Sequence, residues 1–180
     1  MREISLHIID IAENGIDAGG DLICIFVDED RCRNLLTIKI SDNGSGISPE
    51  IAENVTDPFV TSRTTRRIGL GLSLLETAAR RCDGDFIIES EPGKGTCITA
   101  TFKYGHIDRA PVGDMAASLS VLMFGNPKTD FVYTHIIDEK QFNLDTREIK
   151  KEFKVNSLSD PLVIHRLTQF VKEGIDRLKD

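Results

Sequence analysis

The sequence predicts an α+β fold, a two-layer α/β sandwich with helices on one face of a mixed, mostly antiparallel sheet. Three observations predict it. Two apolar stretches of strand length, 22–28 and 35–41, follow one another across a short polar turn. Stripes of helical period flank that pair, at 4–18 and 70–82. A second hairpin pattern closes the region at 85–104, so the first hundred residues read α-β-β-α-α-β-β.

Residues 4–18, ISLHIIDIAENGIDA, set Ile4, Ile8, Ile11 or Ala12, and Gly15 at helical spacing, with Asp10, Glu13, Asn14 and Asp17 between them. Gly19-Gly20 stops that helix. LICIFVD is an apolar strand, and the turn EDRCRN leads into a second, where Leu36, Ile38 and Ile40 alternate with Thr37 and Lys39. This strand runs into Asp42, Gly44 and Gly46, a grouping that suits either a plain turn or a ligand loop. SPEIAENV reads as a short helix with Ser48 as N-cap and Pro49 at its first position. A polar stretch without period fills 57–68. The helix after it puts Leu72, Leu75, Ala79 and Cys82 on one face and stops near Gly84. The hairpin turns at Pro92-Gly93-Lys94-Gly95, and Ile98, Ala100, Phe102 and Tyr104 share a face of its second strand.

Character changes after residue 104, which divides the chain into 1–104 and a smaller α/β extension, 105–180. HIDRAPVGDM reads as a linker, followed by a helix near 113–123, a pair of strands around DEKQ and a final helix near 160–178.

A formal net charge of -7 argues against nucleic acid as a partner. The acidity is concentrated: residues 1–103 carry 17 acidic and 11 basic side chains, and residues 104–180 carry 12 and 11. Within the acidic half, TSRTTRR crowds Arg63, Arg66 and Arg67 together, a cluster suited to a small anion or to a solvated loop. No apolar run approaches the roughly 20 residues of a membrane span and MREIS is no signal peptide, so the expected setting is the cytoplasm, without membrane contact. The four cysteines and four histidines show no metal-ligand spacing and are expected to be free thiols and scattered imidazoles.

Polar groups from four elements could converge on one pocket. Asp10 and Asn14, four apart, project from one helix face, a base beside an oxygen ligand for Mg2+. Gly69 and Gly71 open the next helix, where backbone N–H groups and the helix dipole favour phosphate. Asp42 ends a strand and Thr96 begins one. The common phosphate motifs are absent: position 88, where a G-x-x-x-x-G-K-[ST] would need glycine, is Ile88, and Gly69-Leu70-Gly71 is followed by Leu72, Ser73 and Leu74 rather than by a third glycine.

On these pieces residues 4–103 resemble the Bergerat-fold ATPases, the superfamily of DNA gyrase, Hsp90-class chaperones, mismatch-repair ATPases and sensor histidine kinases. DIAENGIDAGG is similar to its N box, DNGSG to its first glycine box, DPF to the start of its lid, IGLGL to its second glycine box and GKGT to its final Gly-x-Gly-Thr. The resemblance implies that Asp42 accepts the adenine amino group, with Thr96 supporting through water, and that Gly44 and Gly46 let the backbone pass the base. It implies Mg2+ at Asn14, and phosphates against Gly69, Leu70 and Gly71 and within reach of Arg63 and Arg66, in a mobile lid over 57–70. Asp10 takes the place of the catalytic base, where gyrase-type members carry glutamate. Aspartate reaches about 1.5 Å less far, so a plain surface acid is the competing reading.

The implied function is Mg2+-dependent ATP binding with slow hydrolysis or ATP-gated binding of an unidentified protein partner. The alternatives are a protein kinase acting in trans, like the anti-sigma-factor kinases, and a nucleotide sensor without chemistry. No phosphoacceptor or dimerisation helix precedes the N box, so a kinase reading puts the substrate on another protein. A homodimer stays open.

Overall fold

The computed structural model of the 180-residue chain describes residues 3–47, 70–155 and 157–180. Helix α1 (Ile4–Asp17) is followed by strands β1 (Leu22–Asp30) and β2 (Leu35–Asp42), helix α2 (Leu70–Arg81) and strands β3 (Phe86–Glu91) and β4 (Gly95–Lys103). Helix α3 (Met115–Gly125), strands β5 (Asp130–Ile137) and β6 (Lys140–Asp145), and helices α4 (Thr146–Phe153) and α5 (Pro161–Lys179) complete the described chain.

The strands form one six-stranded sheet in the order β3-β4-β2-β1-β5-β6. Neighbours run antiparallel except β1 and β5, which are parallel. Two strands from 105–180 thus continue the sheet of the first hundred residues. Ile23, Ile25 and Val27 of β1, Leu36, Ile38 and Ile40 of β2, and Ile98, Ala100 and Phe102 of β4 are buried beneath the helices. The intervening residues form an outer face, half-buried at Cys24 and Phe26 and exposed at Lys39. β1 reads as nearly continuous apolar sequence because it is a central strand, part-covered on both faces.

Helix α1 is held by packing rather than by a cap. Ile4, Ile8, Ile11 and Ala12 face the core, and each buried isoleucine contributes about 1.5–3 kcal/mol. The N-cap residue Glu3 makes no side-chain bond to the helix. Instead, Ile4 N–H donates to the Pro111 carbonyl at 3.0 Å and Ser5 N–H to that of Val112 at 2.8 Å. The stretch read as a linker therefore docks on α1 and satisfies two of its orphan donors. Helices α3, α4 and α5 start on Asp114, Asp145 and Asp160, whose carboxylates each accept a backbone N–H of the first turn. Helix α4 was not among the expected elements.

At the end of β1 remote from Asp42 lies a buried polar chain. Tyr133 Oη and His135 Nδ1 are 2.6 Å apart, and His135 Nε2 and Glu29 Oε1 are 2.9 Å apart. Burial raises the Glu29 pKa, but its hydrogen bond and charge interaction with His135 outweigh this and hold it below the ordinary value. The Arg109 guanidinium stands 4.6 Å over the Tyr104 ring nearby.

Candidate functional site

The end of β2 is the centre of the site. Asp42 registers with Thr96 across to β4 and with Ile23 across to β1. Its Oδ1 accepts the Gly44 N–H at 2.8 Å, which fixes the carboxylate and leaves Oδ2 with acceptor capacity. Oδ2 lies against α1 at Gly15: a Cβ there would stand 3.1 Å from Oδ2 and 2.7 Å from the Asp42 Cβ. A glycine in mid-helix costs about 0.8–1.0 kcal/mol relative to alanine. Here it lets the helix close on the acid.

The loop after Asp42 is tied on three sides. Asn43 Oδ1 accepts N–H groups of Asp21 and Leu22, both at 3.0 Å, and its Nδ2 donates to Asp21 Oδ1 at 2.7 Å. Ser45 N–H donates to the Ala18 carbonyl at 3.0 Å, and the Ser45 carbonyl accepts from Gly93 N–H at 2.8 Å. Ile47 N–H donates to Ser90 Oγ at 2.8 Å. Ser90 Oγ stands 2.9 Å from Thr96 Oγ1 and 3.0 Å from the Gly95 carbonyl, so one serine couples the loop to the hairpin and orients Thr96. Gly46 and Gly95 have φ of 65° and 103°, a region that disfavours side chains. At Gly95 a Cβ would also run into the Asp42 carbonyl oxygen. A groove of about 420 Å3 borders these strand ends, with Asp42, Ser90 and Thr96 in its wall.

Asp10 and Asn14 lie one turn apart on α1, both half-buried. Among the described residues neither side chain makes a hydrogen bond. The first turn of α2 rests on Asp10: a Cβ on Gly71 would sit 3.0 Å from the Asp10 Cβ and 3.3 Å from its Oδ2. The first described turn of α2 is thereby set beside the Asp10 carboxylate. His7, one turn earlier, is buried, its pKa lowered chiefly by that burial, and its Nδ1 has no hydrogen-bond partner among the described residues.

Of the residues singled out from sequence, Asp42, Gly44, Gly46 and Thr96 form one tied assembly, and Asp10 meets Gly71. Leu70 is the first residue of α2. Arg63, Arg66, Gly69, the short helix capped by Ser48 and the lid over 57–70 lie outside the described residues. Gly15, Asn43 and Ser90 were not singled out. Only Gly15 carried a signal, as an isolated glycine within a helical stripe.

The donor set fits Mg2+ held jointly with phosphates. Asn14 offers a carbonyl oxygen beside the Asp10 carboxylate, neither hydrogen-bonded among the described residues, and Mg2+ is commonly bound by one or two protein oxygens together with substrate phosphates. No cluster of three or more histidine, cysteine, aspartate or glutamate side chains among the described residues could hold a metal by itself. The four cysteines are free, with Cys82 buried and Cys32 exposed. No described helix is long and apolar enough to cross a membrane.

Helices α1, α2, α3 and α5 on one face of this sheet, with a carboxylate at a strand end and the first described turn of α2 beside α1, define the Bergerat class of nucleotide-binding fold. The model of the histidine kinase-, DNA gyrase B- and HSP90-like ATPase family matches residues 2–106, and the chain belongs to that family and contains its ATP-binding domain. Among curated proteins it is similar to sporulation kinase D of Bacillus subtilis (36% identity over 97 residues, 52% of this chain and 18% of the relative). It is also similar to the non-motile and phage-resistance protein of Caulobacter vibrioides (28% identity over 126 residues, 65% and 15%). The chain thus spans less than a fifth of the length of these two relatives. Among solved structures, the N-terminal domain of a DNA repair protein shares the fold, with a TM-score of 0.53 and 17% identity over 81% of this chain and 53% of the other.

Proposed function

We propose that the protein binds ATP with Mg2+ and couples it to slow hydrolysis or to gated binding of a protein partner. The observation that carries this reading is Asp42, with Oδ1 committed to the Gly44 N–H and Oδ2 left as an acceptor against Gly15. In this reading Oδ2 accepts the adenine amino group, Thr96 supports through water, and Gly44 and Gly46 bring the backbone to the base. Gly71 is assigned to the phosphates beside Asp10, and Gly69, Leu70, Arg63 and Arg66 are assigned to them by sequence alone. Asn14 supplies the protein oxygen for Mg2+, which when bound neutralises phosphate charge. Residues 1–104 form the nucleotide-binding unit and 105–180 its extension.

Hydrolysis needs a base, and this reading assigns that role to Asp10. It accepts the proton of a water whose oxygen bonds to the γ-phosphorus as the bond to ADP breaks. Its short side chain predicts turnover well below the roughly 10 s⁻¹ typical of enzymes. A second reading, a protein kinase acting in trans, draws support from relatives named as sporulation and sensor kinases. ATP labelled at the γ-phosphate separates these readings and a pure nucleotide sensor: label appears as free phosphate, on a partner protein, or stays on ATP. Asp10→Asn is expected to abolish release of labelled phosphate while ATP binding persists. Measurable hydrolysis that Asp10→Asn leaves unchanged would place the base elsewhere.

A further inference from the structure

A second cleft, of about 570 Å3, opens beside α4 and is lined by Lys128, Asp130, Arg147, Lys150, Lys151 and Lys154, with Val155 at its side. Five of those side chains are cationic in a chain of net charge -7. Arg147, Lys150 and Lys151, spaced three and four, share one side of α4, and Lys154 follows them as its left-handed C-cap residue. From Arg147 to Lys151 the helix rises about 6 Å at 1.5 Å per residue. Lys128 faces it from the turn before β5.

Three of these charges are uncommitted. Asp130 is taken by Lys150 Nζ at 2.8 Å, and Lys150 also donates to the Thr129 carbonyl at 3.3 Å. Arg147 is forked onto Asp145, with Nη2 2.7 Å from Oδ2. Lys128, Lys151 and Lys154 have no ion pair among the described residues. Cations in the last turn of a helix complement its dipole, which accounts for Lys150 and Lys151 on α4 but not for Lys128 from another element. Uncompensated like charges gathered on one cleft repel each other, and an anionic ligand relieves that repulsion.

We infer that this cleft docks an acidic peptide segment of a partner protein. The cations are spread over α4, its C-cap and the facing turn, which matches several carboxylates along a chain better than one compact phosphate. Its free cations are lysines, point charges on flexible stems, while the single arginine fork suited to phosphate is already occupied. Phe153 and Val155, 59% and 40% exposed, adjoin these cations and offer apolar anchors that an inorganic anion cannot use. Nucleic acid is disfavoured by the net charge of the whole chain. Asp130 registers with Leu22, beside the Ile23–Asp42 pair, so the cleft lies at the same end of the sheet as Asp42. Asp130 alternates with core-facing Phe131, which puts the cleft on the outer face. A docked peptide and a ligand at Asp42 therefore do not compete for space, and the inference stands independently of the nucleotide reading.

Fluorescence anisotropy with a labelled glutamate-rich peptide containing one leucine tests it, at low and at physiological salt. Inorganic tripolyphosphate and a short single-stranded DNA serve as competitors. The wild-type chain is expected to bind the peptide more weakly as salt rises, and the K151E/K154E variant to bind it at least about tenfold more weakly. The charge-reversed control K172E/K179E on α5 is expected to bind like wild type. Should circular dichroism show K151E/K154E unfolded, K128Q/K151Q carries the same expectation with less perturbation. Equal affinity of the folded cleft variant and wild type, no peptide binding at low salt, or tighter binding of tripolyphosphate or DNA than of the peptide would overturn the inference.

Discussion

The two ends of β1 place polar residues in the same helix-covered layer and treat them in opposite ways. At the Glu29 end the polar groups close on one another: both ring nitrogens of His135 are engaged, one with Tyr133 and one with Glu29. At the Asp42 end they are fixed but left incomplete. Asp42 commits one oxygen to its own loop, and Asp10 and Asn14 make no hydrogen bond among the described residues. Asp10, Asn14 and Asp42 are half-buried, so acceptors without a partner among the described residues stay accessible to water or to a ligand. A closed network rigidifies; an open one binds. The comparison also separates the backbones: the Asp42 end is built on glycines that admit close approach, the Glu29 end on ordinary strand.

The largest expected effect tests the closed end. Glu29→Ala leaves the buried His135 Nε2 without its hydrogen-bond partner and is predicted to cost about 1–3 kcal/mol of stability, with ATP affinity unchanged in whatever fraction remains folded. Urea unfolding and calorimetry read the two quantities. A comparable loss of ATP affinity would break the separation between the ends. Gly15→Ala is predicted to do the reverse. Helix propensity favours alanine by about 0.8–1.0 kcal/mol, which offsets part of the crowding, so stability changes little. The added Cβ meets the Asp42 Cβ at 2.7 Å and displaces the carboxylate, and ATP affinity is expected to fall on the order of tenfold. Unaltered affinity would mean that the position of the Asp42 carboxylate does not matter.

Much of this contrast was legible in the sequence. The alternation in LLTIKIS and the stripe through Ile4, Ile8 and Ile11 specified strand and helix, because each element buries one face and the period records it. Asp42, Gly44 and Gly46 stood out because an acid and two glycines directly after a strand are unusual. Helix α4 escaped because its eight residues carry only Ile149 and Phe153 as apolar positions, too few to show a period. The closed end was invisible for another reason. Glu29 and His135 are 106 positions apart, and their meeting depends on the parallel pairing of β1 and β5, which no local pattern encodes. Ser90 was hidden in the same way, as its partners are supplied by a loop and a hairpin turn that only the tertiary fold brings together.

A smaller effect concerns acid. Burial lowers the His7 pKa in the folded chain, so the unfolded chain takes up that proton first. Stability from this residue is complete above the ordinary imidazole value of 6.5 and declines as pH falls from there toward the folded value. His7→Phe is predicted to flatten that part of the stability profile, measured as urea midpoints above and below neutrality. Parallel profiles for variant and wild type would show that His7 is not a source of acid sensitivity.

The account rests most directly on Asp42 as an acceptor that the fold leaves available. Calorimetric titration of ATP with Mg2+ into wild type and Asp42→Asn measures it. The substitution keeps the shape of the side chain and replaces one acceptor oxygen by a donor. Loss of a charge-assisted hydrogen bond of about 1.5–3 kcal/mol predicts affinity weakened roughly ten- to a hundredfold, with the urea midpoint close to that of wild type. Equal ATP affinity in the two proteins would contradict the assignment of this strand end as the nucleotide site.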